Sequence, residues 1–394
     1  MVLVAAPRRI ELGPLSLSGA LTVVVALLII CMLPGYAVKG VEQSLLPGPK
    51  VAGTGVPWQI WGFLLLLAMS FFFGVINETL SADSVQNGFV YLSFIGAMAF
   101  AAAVDSGLIV LRGWQLMKTF ATWAAYLSFV MAVTGLDLLA DRPMAMVGVI
   151  VLAIVIPGTP TTNWVRFAPF FTVAAMALSL SRTSTAIGLA LLAFIVLRGG
   201  GGRSGRSGRL TKALFVAGIV LASAYLLVVY YTPFRNRFLV GDNALQVGDV
   251  SISTQGRAKL WELLISNSSD GWIFGHGIGS ASQLIGEYVP GQSHPHNEYL
   301  RLFYDFGAVG LALFVVGYAL LIWRSFRSAR QSDSPVHWAA FIALSGIALN
   351  ATTDNPFVYP FVMLPLGSLV GLSLALTRIE RSQSWRADRS AIPE

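Results

Sequence analysis

The chain has 394 residues, of which 55% are hydrophobic and only 11% charged, and its mean hydropathy is +0.70. Soluble proteins carry about 25% charged residues, so these figures exclude a soluble globular fold and point to a bundle of helices that crosses a membrane many times. The net charge of +7 does not indicate nucleic acid, because the positives cluster in short loops where they orient spans, and the single cysteine, Cys31, excludes an intramolecular disulfide framework.

Arg8 and Arg9 precede the first apolar stretch, as in a signal sequence. That stretch is too long and has no clean small-residue cleavage site, so it reads as a retained span. Stretches with the length of a span, about 20 apolar residues, lie near 16–36, 58–76, 88–111, 117–136, 144–157, 166–181, 183–198, 212–232, 307–325, 337–353 and 359–377. Arg198, Arg203, Arg206, Arg209 and Lys212 stand in a Gly/Ser-rich run without a negative charge. This run reads as a flexible cytoplasmic linker, although its charges would also suit a nucleic-acid or headgroup patch. Arg324, Arg327, Arg330 and the tail from Arg378 to Arg389 repeat the cytoplasmic signal. Residues 233–297 then form a long outer loop of mixed charge. The same count puts the N-terminus outside despite Arg8 and Arg9. One further span in the first hundred residues removes the conflict and makes about 12 in total.

The predicted fold is therefore all-α, a polytopic membrane bundle with one long outer loop containing short helices. Its expected parts are N-terminal spans over 1–165, spans with a Ser-Arg segment and a basic loop over 166–232, and the outer loop with a histidine motif over 233–306. C-terminal spans over 307–377 and a cytoplasmic tail over 378–394 follow.

Three segments carry groups suited to chemistry. In Ser181-Arg182-Thr183-Ser184, the arginine is costly in hydrocarbon unless it reaches an interface or a polar cavity. It either snorkels to headgroups or clamps an anion through its forked guanidinium. In Arg257-Ala-Lys259-Leu260-Trp261-Glu-Leu263-Leu264, the apolar residues share one broad helical face. The segment reads as an interfacial amphipathic helix, which either anchors the loop or sets Arg257 over a lipid-linked phosphate. In Gly275-His276-Gly277-Ile278-Gly279, the glycines allow close backbone approach, and their amides would line an anion or sugar site. The other reading is an ordinary turn with a satisfied loop histidine.

The stretch His294-Pro295-His296-Asn297 follows. The chain otherwise has few groups able to exchange protons near neutral pH, and an unperturbed imidazole titrates near ~6.5. Pro295 restricts the backbone of His294, and Asn297 suits an N-cap with a helix running on from Glu298. His296 would then sit at the mouth of a membrane helix. A zinc site built from His294, His296 and either His276 or Asp354 is allowed by spacing, with no carboxylate in the sequence placed to support it. Asp354 either orients an imidazole or caps the helix after Pro356. His337 reads as structural.

His296, Asn297, Gly307 and Gly310 match every fixed position of a ligase signature: His, then Asn, Ser or Gln, nine residues, Gly, two residues, and Gly, Thr or Tyr. With Ser181-Arg182, the Gly256-Arg257…Trp261 segment and the three alternating glycines, the chain resembles the O-antigen ligase and O-antigen polymerase family of bacterial envelope glycosyltransferases. The resemblance spans 175–375.

The resemblance implies transfer of a glycan from undecaprenyl diphosphate to a hydroxyl acceptor, outside the bacterial inner membrane at its periplasmic face. The reaction would be inverting and metal-independent, with no cofactor. The donor's diphosphate leaves with growing negative charge that cations must stabilise, which suits Arg182 and Arg257. His296 suits the general base, worth about 10²–10⁴ in rate, although His294 leaves the choice open between two rings. His294, Asn297, Lys259, Trp261, His276 and Gly277 are the expected substrate-binding set. Lipid A-core as acceptor makes a ligase of lipopolysaccharide synthesis, another lipid-linked glycan makes a polymerase, and a protein hydroxyl ranks below both. Membrane lipids are the remaining partners. A transporter or flippase of lipid-linked glycans would need ionisable groups in mid-span and broken helices, whereas the charge here gathers at loops and span ends. A scaffold for envelope assembly would need no reactive set at all.

Overall fold

The computed structural model describes residues 11–12, 15–16, 55–76, 80–135, 141–158, 162–198, 218, 222, 229–239, 245–247, 250–252, 254, 256–290 and 292–390. Its helices are α1 (Trp58–Ile76), α2 (Ala82–Ala102), α3 (Gly107–Thr134), α4 (Asp141–Val155), α5 (Asn163–Leu178) and α6 (Arg182–Arg198). They continue with α7 (Thr232–Leu239), α8 (Arg257–Ser266), α9 (Ser280–Tyr288), α10 (Glu298–Ser332), α11 (Pro335–Asn350) and α12 (Pro360–Ser390). Two minimal antiparallel hairpins, Glu11–Leu12 with Leu15–Ser16 and Leu245–Val247 with Val250–Ile252, are the strands among the described residues.

Five helices among the described residues are long and apolar enough to cross a membrane: α1, Ser84–Ala102 within α2, α3, α10, and Pro360–Gln383 within α12. Pro143–Val155 and α11 are shorter apolar helices. The chain is a multi-pass membrane protein. The expected span at 16–36, Cys31, Arg8 and Arg9, the linker after Arg198 and most of 212–232 lie outside the described residues.

Local chemistry sets the helix ends. Ser81 and Ser84 form a reciprocal capping box at the start of α2, and Thr162 accepts from Val165 N at the start of α5. The expected span over 88–111 is corrected: α2 ends at Ala102 and α3 begins at Gly107. Val104 and the apolar run after Gly107 read as continuous hydrophobicity, but Arg378 reaches across from α12 to hold the turn. Its Nη2 donates to Val104 O at 2.8 Å and to Asp105 Oδ1 at 2.7 Å.

The core runs between α1, α2, α4, α10, α11 and α12. Phe63 meets Tyr91, Phe306 and Phe314 edge-on with ring centroids 5.1–5.3 Å apart, and Phe357 joins Phe314 at 5.0 Å. Gly367 and Gly371 bring α12 against the backbone of α2, where a Cβ at either would stand 2.4 Å from Phe94 O or Met98 O. A second, smaller core joins the short helices α8 and α9 to the start of α10: Leu260 and Leu264 of α8, Ala281 and Ile285 of α9, and Tyr304.

Candidate functional site

Asn297 caps α10 as its position suggests, its Oδ1 accepting from Leu300 N at 3.1 Å. Just before it, His296 takes a left-handed backbone with φ +54°, a conformation that costs an ordinary residue roughly 1–2 kcal/mol. The amide of His296 donates to Asn355 Oδ1 at 2.8 Å, and its Nδ1 lies 3.3 Å from Asp354 Oδ1. Asp354 also accepts from Asn355 N at 3.0 Å and is nearly buried. Of the two readings of Asp354, the structure forms the one that orients an imidazole. Trp261 Nε1 donates to Pro295 O at 2.8 Å and so braces the turn between the two histidines.

Arg257 and the start of the helix that opens with Arg182 reach the same turn. Arg257, the first residue of α8, donates from Nη1 to Thr353 O at 2.6 Å. Arg182 is the first residue of α6, and its neighbour Thr183 sets its hydroxyl 2.5 Å from that of Thr353. Ser184 adds a hydrogen bond to Asn350 Oδ1 at 3.0 Å. The N-terminal ends of α6, α8 and α10 therefore meet the turn that joins α11 to α12. A helix N-terminus carries a partial positive charge that favours anions.

The two histidines differ. His294 Nδ1 is shielded from solvent without a hydrogen-bond partner. Burial, the Arg301 cation and then His296 push the His294 imidazole down to about 3. A ring held neutral so far below neutrality is a weak base. His296, by contrast, has a carboxylate at its Nδ1. Lys259 is exposed, on the turn of α8 that carries Arg257.

Two expected site residues stand elsewhere. His276 stacks on Tyr304 with ring centroids 4.3 Å apart, and its amide donates to Tyr304 O at 3.0 Å. Gly277 donates to Asp305 O at 2.9 Å. Both are thus pinned several residues along α10 from His296, about 12 Å at 1.5 Å per residue. The expectation that this glycine segment holds an external anion is corrected, because the anion it holds is the chain's own. Gly279 N and Ala281 N donate to the two Asp305 carboxylate oxygens at 3.2 and 2.9 Å, and Ser280 Oγ donates at 3.0 Å.

The signature glycine belongs to the same contact. Gly307 breaks the helical path of α10 at φ +66°, and a Cβ there would stand 2.2 Å from Ile273 O. Ala308 N and Val309 N donate to Trp272 O and Ile273 O at this crossing. The amphipathic face of α8 is likewise turned inward onto α9 and Tyr304 rather than outward to a bilayer.

Sequence reading missed a buried cluster behind the turn. Glu298 accepts through Oε1 from Arg301 Nε at 2.8 Å, from Arg301 Nη2 and from Tyr91 Oη at 3.1 Å. Its Oε2 accepts from Asn355 Nδ2 at 2.8 Å, and Arg301 Nη2 donates to Tyr91 Oη at 2.7 Å. All four residues are at most 1% exposed. An opposite-charge pair three residues apart, opening an apolar helix, was the available signal for Glu298 and Arg301. Nothing in sequence marked Tyr91. Among the described residues, no group of three or more His, Cys, Asp or Glu is placed to hold a metal ion.

Residues 167–315 match the family model described as O-antigen ligase. That region includes Arg182, Arg257, His294, His296, Gly307 and Gly310, and ends before Asp354. Among curated proteins, none matches the chain.

Proposed function

We propose that this member of the O-antigen ligase and polymerase family, identified as such by residues 167–315, transfers a glycan from undecaprenyl diphosphate to an acceptor hydroxyl. The reading is an O-antigen ligase of the bacterial inner membrane with lipid A-core as acceptor and its site facing the periplasm. The observation that carries it is the convergence on two consecutive residues. Thr353 meets Arg257 and the neighbour of Arg182, and Asp354 meets His296.

In this mechanism the acceptor oxygen attacks the anomeric carbon from the face opposite the lipid. One carbon–oxygen bond forms as the bond to the diphosphate breaks, and configuration inverts. Asp354 fixes Nδ1 of His296, so Nε2 takes the acceptor proton. The electron pair leaves on the diphosphate, whose charge Arg182 and Arg257 stabilise together with the start of α6. The low proton affinity of His294 favours His296 as base. Trp261 and Asn297 shape the turn, Lys259 adds positive charge at its rim, and His294 lines it.

The test is reconstitution in liposomes with an undecaprenyl-diphosphate glycan and, in separate arms, lipid A-core or a second lipid-linked glycan. Transfer to lipid A-core with inverted linkage is expected, in chelator as well as without it. Transfer only to the second lipid-linked glycan would make the protein a polymerase. His296→Ala should lower turnover by about 10²–10⁴-fold while the protein still inserts. Wild-type turnover from that variant would overturn the reading.

A further inference from the structure

We infer that Asn355 and Glu298 are positioning residues that aim the His296 ring by clamping its main chain. The inference rests on the assignment of His296 as base. The left-handed φ of +54° at His296 is one of three such values at non-glycine residues among those described. Something must hold it, and the turn before α12 provides a side chain that does so. Asn355 Oδ1 takes the His296 amide at 2.8 Å, and the same side chain's Nδ2 donates to Glu298 Oε2 at 2.8 Å. The Asn355 amide is therefore engaged at both ends and its orientation is fixed.

Glu298 is fixed in turn. Its amide donates to Ala351 O at 2.8 Å, tying the start of α10 to the end of α11. Its Oε1 is gripped by Arg301 and by Tyr91 from α2. A chain of hydrogen bonds thus runs from a helix well before the family-matched region, through α10, to the backbone of His296. Asp354 sits beside Asn355, so the clamp sets both the ring and the carboxylate that faces it. Tyr91, Asp354 and Asn355 all lie outside residues 167–315, and the matched region does not by itself hold the machinery that would aim its histidine.

Asn355 is the place to test this, because removing Glu298 would strand the buried Arg301 cation. Asn355→Ala should lower kcat by about 10²-fold, as for a displacement of about 1 Å, while KM for the donor stays put. It should also speed modification of His296 by diethylpyrocarbonate, read by mass spectrometry without any turnover. The paired variant Glu298→Gln with Asn355→Asp exchanges donor and acceptor across that hydrogen bond and keeps the net charge of the cluster, with the carboxylate moved one hydrogen bond away from Arg301. The side-chain amide introduced on α10 would donate to the carboxylate introduced on the turn, and that carboxylate would accept from the His296 main-chain amide. Most of the lost turnover should return.

Turnover and labelling that both match the parent in Asn355→Ala overturn the inference. So does a paired variant that inserts normally yet stays as slow as Asn355→Ala. If His296→Ala itself keeps full transfer, the base assignment fails instead, and the labelling rate then tests the clamp alone.

Discussion

Two histidines separated by one proline have opposite surroundings. His296 faces a carboxylate at 3.3 Å, longer than the 2.7–2.9 Å of a strong charge-assisted hydrogen bond. In the role proposed for His296, such a contact often tightens only with substrate bound. His294 is held neutral by burial and a nearby guanidinium, with a folded value of about 3 against an ordinary 6.5. Above pH 6.5 neither folded nor unfolded chain carries a proton there. Between 6.5 and about 3 the unfolded chain takes one and the folded chain does not, so stability falls as pH falls. One such proton gives a slope of up to about 1.4 kcal/mol per pH unit. Thermal melts in detergent from pH 7 to 4.5 should therefore show a shallower acid loss for His294→Asn than for the parent. Parallel curves would mean that the ring is not held neutral.

At the scale of elements, the loop helices before α10 are anchored by one carboxylate. Asp305 takes the first amides of α9 and the Ser280 hydroxyl, and its own carbonyl takes Gly277 N. The arrangement is an N-terminal cap supplied from a different helix. It joins α9, and through the small core also α8, to the first turns of α10. The helix break at Gly307 belongs to the same contact, since the Trp272–Ile273 backbone occupies the space a side chain would need. Asp305→Ala leaves two buried amides without acceptors and should cost on the order of 3 kcal/mol. The loss should appear as faster cleavage between Thr254 and His296 by a protease added to sealed liposomes that display the loop outward. An unchanged cleavage rate would show that the loop is held by its apolar core alone.

Across the whole molecule, α2 and α12 set the frame in which the site is assembled. α12 follows directly on the turn bearing Asp354 and Asn355, and α2 carries Tyr91, the far end of the hydrogen-bond chain. Their contact depends on Gly367 and Gly371 lying one helical turn apart on the face toward α2. Gly371→Leu forces side-chain atoms into the Met98 carbonyl and should destabilise the fold by about 1–3 kcal/mol. A lowered thermal midpoint together with lowered glycan transfer is expected, because parting the helices also strains the link from Tyr91 to Asn355. A variant that melts like the parent would show that the two helices can separate without cost.

Hydrophobicity, capping chemistry and short-range spacing are properties of neighbouring residues, and they made the helical membrane architecture, the span at 58–76, the Asn297 cap and the histidine turn readable from the chain. The break at 103–106 was hidden because the residue that holds that turn, Arg378, lies far along the sequence. The choice between the two readings of the glycine segment was hidden for a related reason: its amides suit an anion, and sequence cannot say that Asp305 already accepts from them. Tyr91, Glu298 and Asn355 meet only once α2, α10 and the turn before α12 are packed. Which of two adjacent histidines has a carboxylate and which has a buried, unpartnered nitrogen was likewise decided by tertiary structure, since both the dielectric around a ring and the charge beside it come from distant parts of the chain.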